Sequence, residues 1–167
     1  MAVVVTTAGP GVANTVTAMM DAEALNIPVL QIGGAVATNK RDAGDLQDMS
    51  TLTLMESCCK WARKINATNR IPEYVSMAFR HAQDNSPGPV YLEVPTDLLS
   101  TQVDLERVKF PTNYMATSIP GGAPALIEEA AALLASADRP AVVVDDGAFW
   151  TLGENSEPIR TRNGCSP

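Results

Sequence analysis

Apolar residues along this chain fall into short continuous runs separated by longer segments of helical spacing. Residues 2–7 and 28–34 form the first two runs. Short, β-branched runs of this kind predict strands that are buried on both faces of a sheet. Between them, apolar residues recur at helical spacing from Val12 to about Leu25. Strand, helix and strand make one βαβ unit, whose crossover we expect to be right-handed.

The same alternation continues downstream. Residues 71–82 carry apolar side chains on one helical face, and residues 90–94 form a clear apolar run. A short helix near residues 46–55 and a brief strand at residues 61–65 complete the pattern. We therefore predict an α/β fold with a doubly wound, mostly parallel sheet over residues 1–99.

Periodicity is lost after residue 99, where prolines and glycines accumulate. We interpret residues 100–121 as an interdomain linker. An alanine-rich helix at residues 124–135 and a buried strand at residues 140–144 then predict the start of a second α/β domain within residues 122–167. We expect the chain to begin inside a strand and to stop inside this second domain.

The first predicted strand ends in a glycine-rich turn. Gly9 and Gly11 allow backbone angles that other residues avoid, and Pro10 fixes one angle between them, so the turn should be tight and rigid. Open α/β sheets bind small molecules at the carboxyl ends of their strands. Asn14 lies one helical turn after Pro10, so both can face one bound group. On local pattern alone, a ligand site and a plain sharp corner are equally favoured.

Composition narrows the classes of function. The 167 residues are 46% hydrophobic and carry a net charge of −7 without a basic run, which argues against a nucleic-acid partner. No apolar stretch approaches the roughly 20 residues that span a bilayer, and no secretion signal is present, so we expect a cytoplasmic protein without a membrane partner. His81 is the single histidine, and Cys58, Cys59 and Cys165 lack the spacing of metal ligands. These counts exclude a histidine-based triad and a zinc site built from several histidines.

Several motifs in a fixed order together resemble one family. They are Thr-Ala-Gly-Pro-Gly-Val-Ala-Asn at residues 7–14, Pro-Val-Leu at 28–30, Gly33-Gly34, Leu46-Gln47-Asp48, Lys60-Trp61 and Pro-Gly-Pro-Val-Tyr-Leu-Glu-Val-Pro-Thr-Asp at 87–97. They resemble the thiamine-diphosphate-dependent enzymes of the acetolactate synthase type, which include 2-hydroxyacyl-CoA lyases and related decarboxylases. The resemblance runs in register over residues 2–99 and continues more weakly to residue 147.

The resemblance implies where a cofactor would bind. Family members have a pyrimidine-binding domain, a middle domain and a diphosphate-binding domain, and this chain would hold most of the first and the opening of the second. The turn of Gly9, Pro10 and Gly11 would bind the aminopyrimidine ring of thiamine diphosphate, and Asn14 would line it. In relatives, magnesium and the diphosphate are held by a C-terminal motif that these 167 residues lack. FAD as a further cofactor of the parent enzyme is left open.

The resemblance also implies which residues meet the substrate. Gln47 matches a glutamine that points towards the reacting centre, so we predict a catalytic role for its amide. Leu46 and Met49 are expected to turn inward and to leave that amide projecting beside the turn. Leu46, where acetolactate synthases usually carry phenylalanine, and Lys60 match positions along the substrate route. The alternative for Gln47 is a surface residue that only solvates or caps a helix.

The implied function is that of a 2-keto acid decarboxylase or carboligase, in which a glutamate protonates the pyrimidine ring and the cofactor attacks the keto group. That glutamate lies further upstream in relatives than this chain extends, so residues 1–167 alone are predicted to be inactive. A 2-hydroxyacyl-CoA lyase or another family decarboxylase is the alternative. The parent is expected to be a homodimer or homotetramer, with the face of residues 9–14 and Gln47 at a subunit interface.

Two readings of other classes stay open. A dinucleotide-binding module would also place a glycine-rich turn between a strand and a helix. However, the motif ends in Asn14 rather than glycine, and the second strand ends at Gly34 without the acidic residue that holds a ribose. A non-catalytic assembly domain would keep the fold without the chemistry.

Overall fold

The computed structural model describes residues 1–115 and 121–143. The chain divides into two units, Met1–Ile119 and Pro120–Pro167. The described residues of the second unit contain helix α6, Pro124–Ser136, where the sequence predicts a helix. The domain boundaries themselves stay a prediction.

Four parallel strands form the sheet of the first unit. They are β1 (Ala2–Thr6), β2 (Val29–Ala35), β3 (Trp61–Lys64) and β4 (Val90–Pro95), in the spatial order β1-β2-β4-β3. Strands β1, β2 and β4 fall on the apolar runs in the sequence, and β3 falls on the brief strand predicted at residues 61–65. The register places Gly33 of β2 between Thr6 of β1 and Glu93 of β4.

Helices cover both faces of this sheet. In chain order they are α1 (Pro10–Ala13), α2 (Val16–Ala24), α3 (Thr51–Glu56), α4 (Ile71–Gln83) and α5 (Thr96–Ser100), with short 3₁₀ turns at Thr38–Lys40, Thr68–Arg70 and Leu105–Arg107. One core joins α4 to the face of β4 that carries Leu92. A second core joins α1, α2 and α3 to the opposite face, which carries Tyr91. The predicted doubly wound α/β architecture is confirmed.

Strand β1 departs from its predicted environment. Val3, Val4 and Val5 are 53%, 40% and 73% exposed, so the prediction of a strand buried on both faces is wrong for the described residues. Within those residues β1 pairs with β2 alone and forms an edge of the sheet. An apolar β-branched run identifies a strand, but its burial depends on which other elements cover it.

The predicted strand at residues 140–144 is also corrected. Residues 140–143 form no regular structure, and Val142 and Val143 are 61% and 96% exposed. Residue 144 lies outside the described residues. No strand in the described part of the chain pairs with this run, and an isolated apolar segment cannot satisfy the hydrogen-bonding groups of its backbone as a sheet does.

Part of the predicted linker belongs to the first unit, where the Tyr114 ring meets Phe79 of α4 edge to face.

Candidate functional site

The turn after β1 places Gly9 at the carboxyl edge of the sheet. Gly9 is buried, with φ at +58°, a left-handed conformation that favours glycine. Its carbonyl oxygen accepts hydrogen bonds from the backbone N–H groups of Val12 and Ala13, both at 3.0 Å, which begin α1. Pro10 stands first in that helix, where the N–H that proline lacks would have had no helical partner. The tight turn predicted from the sequence is therefore present.

A second glycine lets α1 pack closely on the sheet. A Cβ atom on Gly33 would lie 2.6 Å from Val12 Cγ2 and 2.7 Å from Tyr91 Oη. Val12 and Tyr91 are both fully buried, so neither side chain has free space to move into. Because Gly33 has no side chain, α1 and its exposed Pro10 can lie close to the sheet.

Gln47 lies directly against Gly9. A Cβ atom on Gly9 would stand 2.7 Å from the Gln47 carbonyl oxygen and 3.0 Å from its Cβ. Gln47 itself has φ at +67°, which is uncommon for a residue with a side chain, and it is exposed. The structure therefore places the Gln47 backbone against the turn.

The glycines of the turn are nevertheless needed by the chain itself. The close approach at Gly9 is made by Gln47, and a Cβ atom on Gly11 would lie 2.6 Å from Thr7 Cγ2. The free side of the turn is formed by exposed Pro10 and Asn14. A ring bound at this edge would meet those two residues.

The neighbours of Gln47 are oriented differently from the prediction. Leu46 is 88% exposed and Met49 is 42% exposed, so neither turns inward. The loop folds on polar contacts instead. Arg41 Nη1 donates to the Met49 carbonyl oxygen at 3.0 Å and lies 3.4 Å from Asp48 Oδ1. Because these polar contacts give the loop its shape, its apolar side chains remain at the surface.

A buried glutamine supports the position of Asn14. Gln31 of β2 is fully buried, and its Oε1 lies 2.8 Å from Thr15 Oγ1, whose single hydroxyl hydrogen is shared between this oxygen and the Val12 carbonyl oxygen at 2.7 Å. Its Nε2 donates to Thr6 Oγ1 at 3.3 Å. Thr15 joins α1 to α2 directly after Asn14, so this network fixes the helix junction to β1 and β2. The signal in the sequence is one polar residue inside an apolar strand.

Two acidic residues of the β4–α5 segment also went unassigned from the sequence. Glu93 is 1% exposed and accepts a hydrogen bond from Thr51 Oγ1 at 2.8 Å. Asp97 accepts from the Thr38 backbone N–H at 3.0 Å and from its hydroxyl at 3.3 Å. The Thr38 backbone bond holds the pKa of Asp97 below its ordinary value.

Lys60 is not brought to this edge. It precedes β3, and since all strands are parallel it lies at their amino ends, opposite the turn after β1. Its Nζ donates to the backbone carbonyl oxygens of Asp84 and Ser86, the second at 2.7 Å. Partial burial lowers its pKa. Lys60 therefore braces the turn before β4, and the geometry does not support its predicted place on a substrate route.

The described residues were also compared with the requirements of a metal site, a reactive thiol and a membrane-spanning helix. Among the described residues, no group of three or more histidine, cysteine or acidic side chains is arranged to hold a metal ion. Cys58 and Cys59 are free thiols whose pKa values are raised by burial, which disfavours the reactive thiolate. No helix within residues 1–115 and 121–143 is both long and apolar enough to cross a membrane.

Comparison with known proteins identifies the family. The model for the thiamine pyrophosphate enzyme, N-terminal TPP binding domain, matches residues 1–54, which include the turn and Gln47. This match and the relatives described below support a thiamine-diphosphate-dependent enzyme of the acetolactate synthase family, of which the chain resembles the N-terminal domain. The recognition made from the motifs is confirmed.

Relatives of this family match over different lengths. A 2-hydroxyacyl-CoA lyase 2 of Danio rerio is 39% identical over 107 residues, covering 64% of this chain and 17% of the relative. The same enzyme of Xenopus laevis is 41% identical over 93 residues, or 56% of this chain and 14% of the relative. A probable acetolactate synthase large subunit of Methanocaldococcus jannaschii is 31% identical over 164 residues, or 95% of this chain and 27% of the relative. The chain thus spans well under a third of each of these proteins.

Proposed function

We propose that this chain supplies part of the pyrimidine-binding wall of a thiamine-diphosphate site. The observation that carries the proposal is the contact of Gly9 with the Gln47 backbone, since a Cβ on Gly9 would lie 2.7 Å from the Gln47 carbonyl oxygen. That contact joins the two segments that the family resemblance assigns to the cofactor and to the reacting centre. Both segments lie within the residues that the family model matches.

The donor set at this edge suits a flat, nitrogen-rich ring. Pro10 offers an apolar surface, and the exposed side-chain amides of Asn14 and Gln47 can each donate and accept hydrogen bonds. A few polar groups placed around an apolar surface are typical of sites that orient a heteroaromatic ligand. In our proposal Pro10 and Asn14 position the ring, and Gln47 hydrogen-bonds the charge that develops on the substrate.

The reaction class follows from the family. Thiamine diphosphate, when bound, supplies a nucleophilic carbon and an electron sink for decarboxylation of a 2-keto acid. We propose a decarboxylase or carboligase of the acetolactate synthase kind as the activity of the enzyme to which this chain contributes. The names of the vertebrate relatives favour 2-hydroxyacyl-CoA lyase as the second candidate. Leu46, at 88% exposure beside Gln47, is the residue we propose to face the substrate and to separate these classes.

We further propose that the enzyme is an oligomer that works with magnesium in the cytoplasm. The family resemblance implies that the pyrimidine and diphosphate parts of the cofactor site lie on different domains. An apolar side chain as exposed as Leu46, next to a cofactor site, supports a surface that a second domain or subunit covers. Magnesium and the diphosphate would then be held outside the residues described above.

Binding of thiamine to the 167-residue chain tests the cofactor proposal. Thiamine carries the pyrimidine ring without the diphosphate, so it isolates the part of the site assigned to this chain. We expect millimolar thiamine to shift the amide signals of Gly9, Gly11 and Gln47 in a ¹⁵N-resolved NMR spectrum, whereas NAD leaves them unchanged. Shifts confined to other residues, or equal shifts with NAD, would contradict the proposal.

Kinetics test the role of Gln47. In the active holoenzyme, Gln47→Ala should lower kcat/KM about a hundredfold, because an amide that hydrogen-bonds a developing charge contributes on the order of 2–3 kcal/mol. A glutamine that only solvates the surface would change stability by less than about 0.5 kcal/mol and leave the rate alone. Unchanged kcat and kcat/KM would show that Gln47 is a surface residue without a catalytic role.

A further inference from the structure

Residues 38–51, here called the Gln47 loop, carry the proposed catalytic amide between two threonines. Thr38 and Thr51 mark its two ends. Each threonine donates a hydrogen bond to an acidic residue, and both acids lie within five consecutive positions of the β4–α5 segment. One short segment of the chain therefore holds both ends of the loop.

The first anchor is at the start of the loop. The Thr38 backbone N–H and hydroxyl both donate to Asp97 Oδ1, at 3.0 and 3.3 Å. Hydrogen bonds to a carboxylate are stronger than those between neutral groups. Asp97 sits in the first turn of α5, directly after β4, so this anchor ties the loop to the sheet.

The second anchor is buried. Thr51 is 2% exposed and Glu93 is 1% exposed, and Thr51 Oγ1 donates to Glu93 Oε2 at 2.8 Å. A carboxyl group inside a sheet is unfavourable unless it is hydrogen-bonded. A leucine or valine would fill this core position without that requirement. The acid is therefore explained by the contact it makes with the end of the loop.

The loop between the anchors behaves as one braced piece. Arg41 lies 3.4 Å from Asp48, and Lys40 lies 3.1 Å from Asp45. Gln47 holds a φ of +67°, a conformation that persists only when the surrounding structure determines it. Braces inside the loop preserve its shape, but they cannot by themselves keep it against Gly9.

We propose that Glu93 and Asp97 are positioning residues that hold the Gln47 loop at both ends and so keep Gln47 against Gly9. Their link to catalysis rests on the proposed function of Gln47. Their hold on the loop does not, because it follows from contacts within the chain.

Limited trypsin digestion of the 167-residue chain tests the hold directly. Lys40 and Arg41 lie inside the loop, and trypsin cuts after them only when the loop opens. The test variants are Asp97→Ala and Thr51→Val, each of which removes one anchor. Thr51 is changed in place of Glu93 because valine keeps the shape of threonine in a packed core. The initial rate of cleavage at these two sites is measured by mass spectrometry, beside the urea midpoint of each variant.

We expect each test variant to raise the cleavage rate in the loop about tenfold, beyond any change due to global unfolding. Asp97→Asn and Thr51→Ser keep an oxygen in place and should stay close to the unchanged chain. Asp104→Ala is the matched control, because the Asp104 carboxylate caps only its own turn, accepting from the Glu106 N–H at 3.1 Å. It should leave the cleavage rate in the loop unchanged.

Two results would overturn the proposal. One is an unchanged rate of cleavage in both test variants. The other is a rate that rises only in proportion to the loss of global stability, which would make the two acids general fold-stabilising groups. If Thr51→Val proves too unstable to fold, the partly exposed Asp97 decides the outcome alone. Faster cleavage in the variants without any thiamine response in the unchanged chain would support the anchors and contradict the proposed function.

Discussion

Replacing Gly33 by alanine tests how tightly α1 is packed on the sheet. The new Cβ would meet Val12 Cγ2 at 2.6 Å and Tyr91 Cε2 and Oη at 2.7 Å each. Real Cβ atoms do not approach other heavy atoms so closely, so the helix or the tyrosine must move. Val12 and Tyr91 are fully buried, and movement of either disturbs the core that joins α1 to α3.

The magnitude follows from two opposing effects. Overpacking a well-packed core costs about 1–3 kcal/mol. Restricting the unfolded chain by exchanging glycine for alanine returns about 0.4–1 kcal/mol. We therefore expect Gly33→Ala to lower the free energy of unfolding by about 1–2 kcal/mol. Urea denaturation of the 167-residue chain, followed by circular dichroism, measures this change.

The adjacent glycine provides the matched control. A Cβ on Gly34 would lie 3.2 Å from the Ala8 nitrogen and no nearer than 3.7 Å to its other neighbours, so Gly34→Ala should cost clearly less stability than Gly33→Ala. Combining Gly33→Ala with Tyr91→Phe removes one of the close contacts and should recover part of the loss. A Gly33→Ala variant as stable as the unchanged chain would refute the packing argument.

Three further predictions concern single side chains. Tyr91→Phe should raise the free energy of unfolding by about 0.5–1.5 kcal/mol in urea denaturation, because Tyr91 Oη is buried without a hydrogen-bond partner among the described residues. The pKa of His81 is lowered by burial and then by Lys60 and Arg80, so stability should be complete above pH 6.5 and decline as the pH falls from there towards the folded-state pKa. Gln47→Gly should raise the free energy of unfolding by about 1 kcal/mol in urea denaturation, because glycine accepts a positive φ without strain.

A specific result would contradict each of these three predictions. A less stable Tyr91→Phe variant would show that the hydroxyl makes a favourable contact. His81→Gln should remove the pH dependence below pH 6.5, and a variant that keeps it would assign the effect to another group. The His81 ring stacks on Trp61 at 5.0 Å, so fluorescence of Trp61 offers a local probe of the titration. A Gln47→Gly variant no more stable than the unchanged chain would show that the positive φ of Gln47 carries no strain.

Local sequence was sufficient for the strands of the first unit and for the family. The β-branched runs predicted β2 and β4 because extended backbone suits such side chains in a buried sheet. The turn after β1 was predicted because Gly9 and Gly11 allow backbone angles that other residues avoid and Pro10 fixes one angle between them. The order of the motifs along the chain then identified the family, because that order can be recognised without knowing which residues are in contact.

Tertiary structure decided which of these residues meet. The valines of β1 are exposed because strand order places β1 at an edge of the described sheet, and composition does not encode that order. Lys60 appeared among the family motifs, yet it lies at the amino ends of the strands because β3 runs parallel to its neighbours. Glu93 and Thr51 meet only because α3 packs on β4. Gly9 and Gln47 are likewise far apart in the sequence and are brought together only by folding. Contacts between distant segments depend on strand register and long-range packing. Local sequence therefore determines the helices and strands, whereas the contacts at the carboxyl edge of the sheet form only in the folded chain.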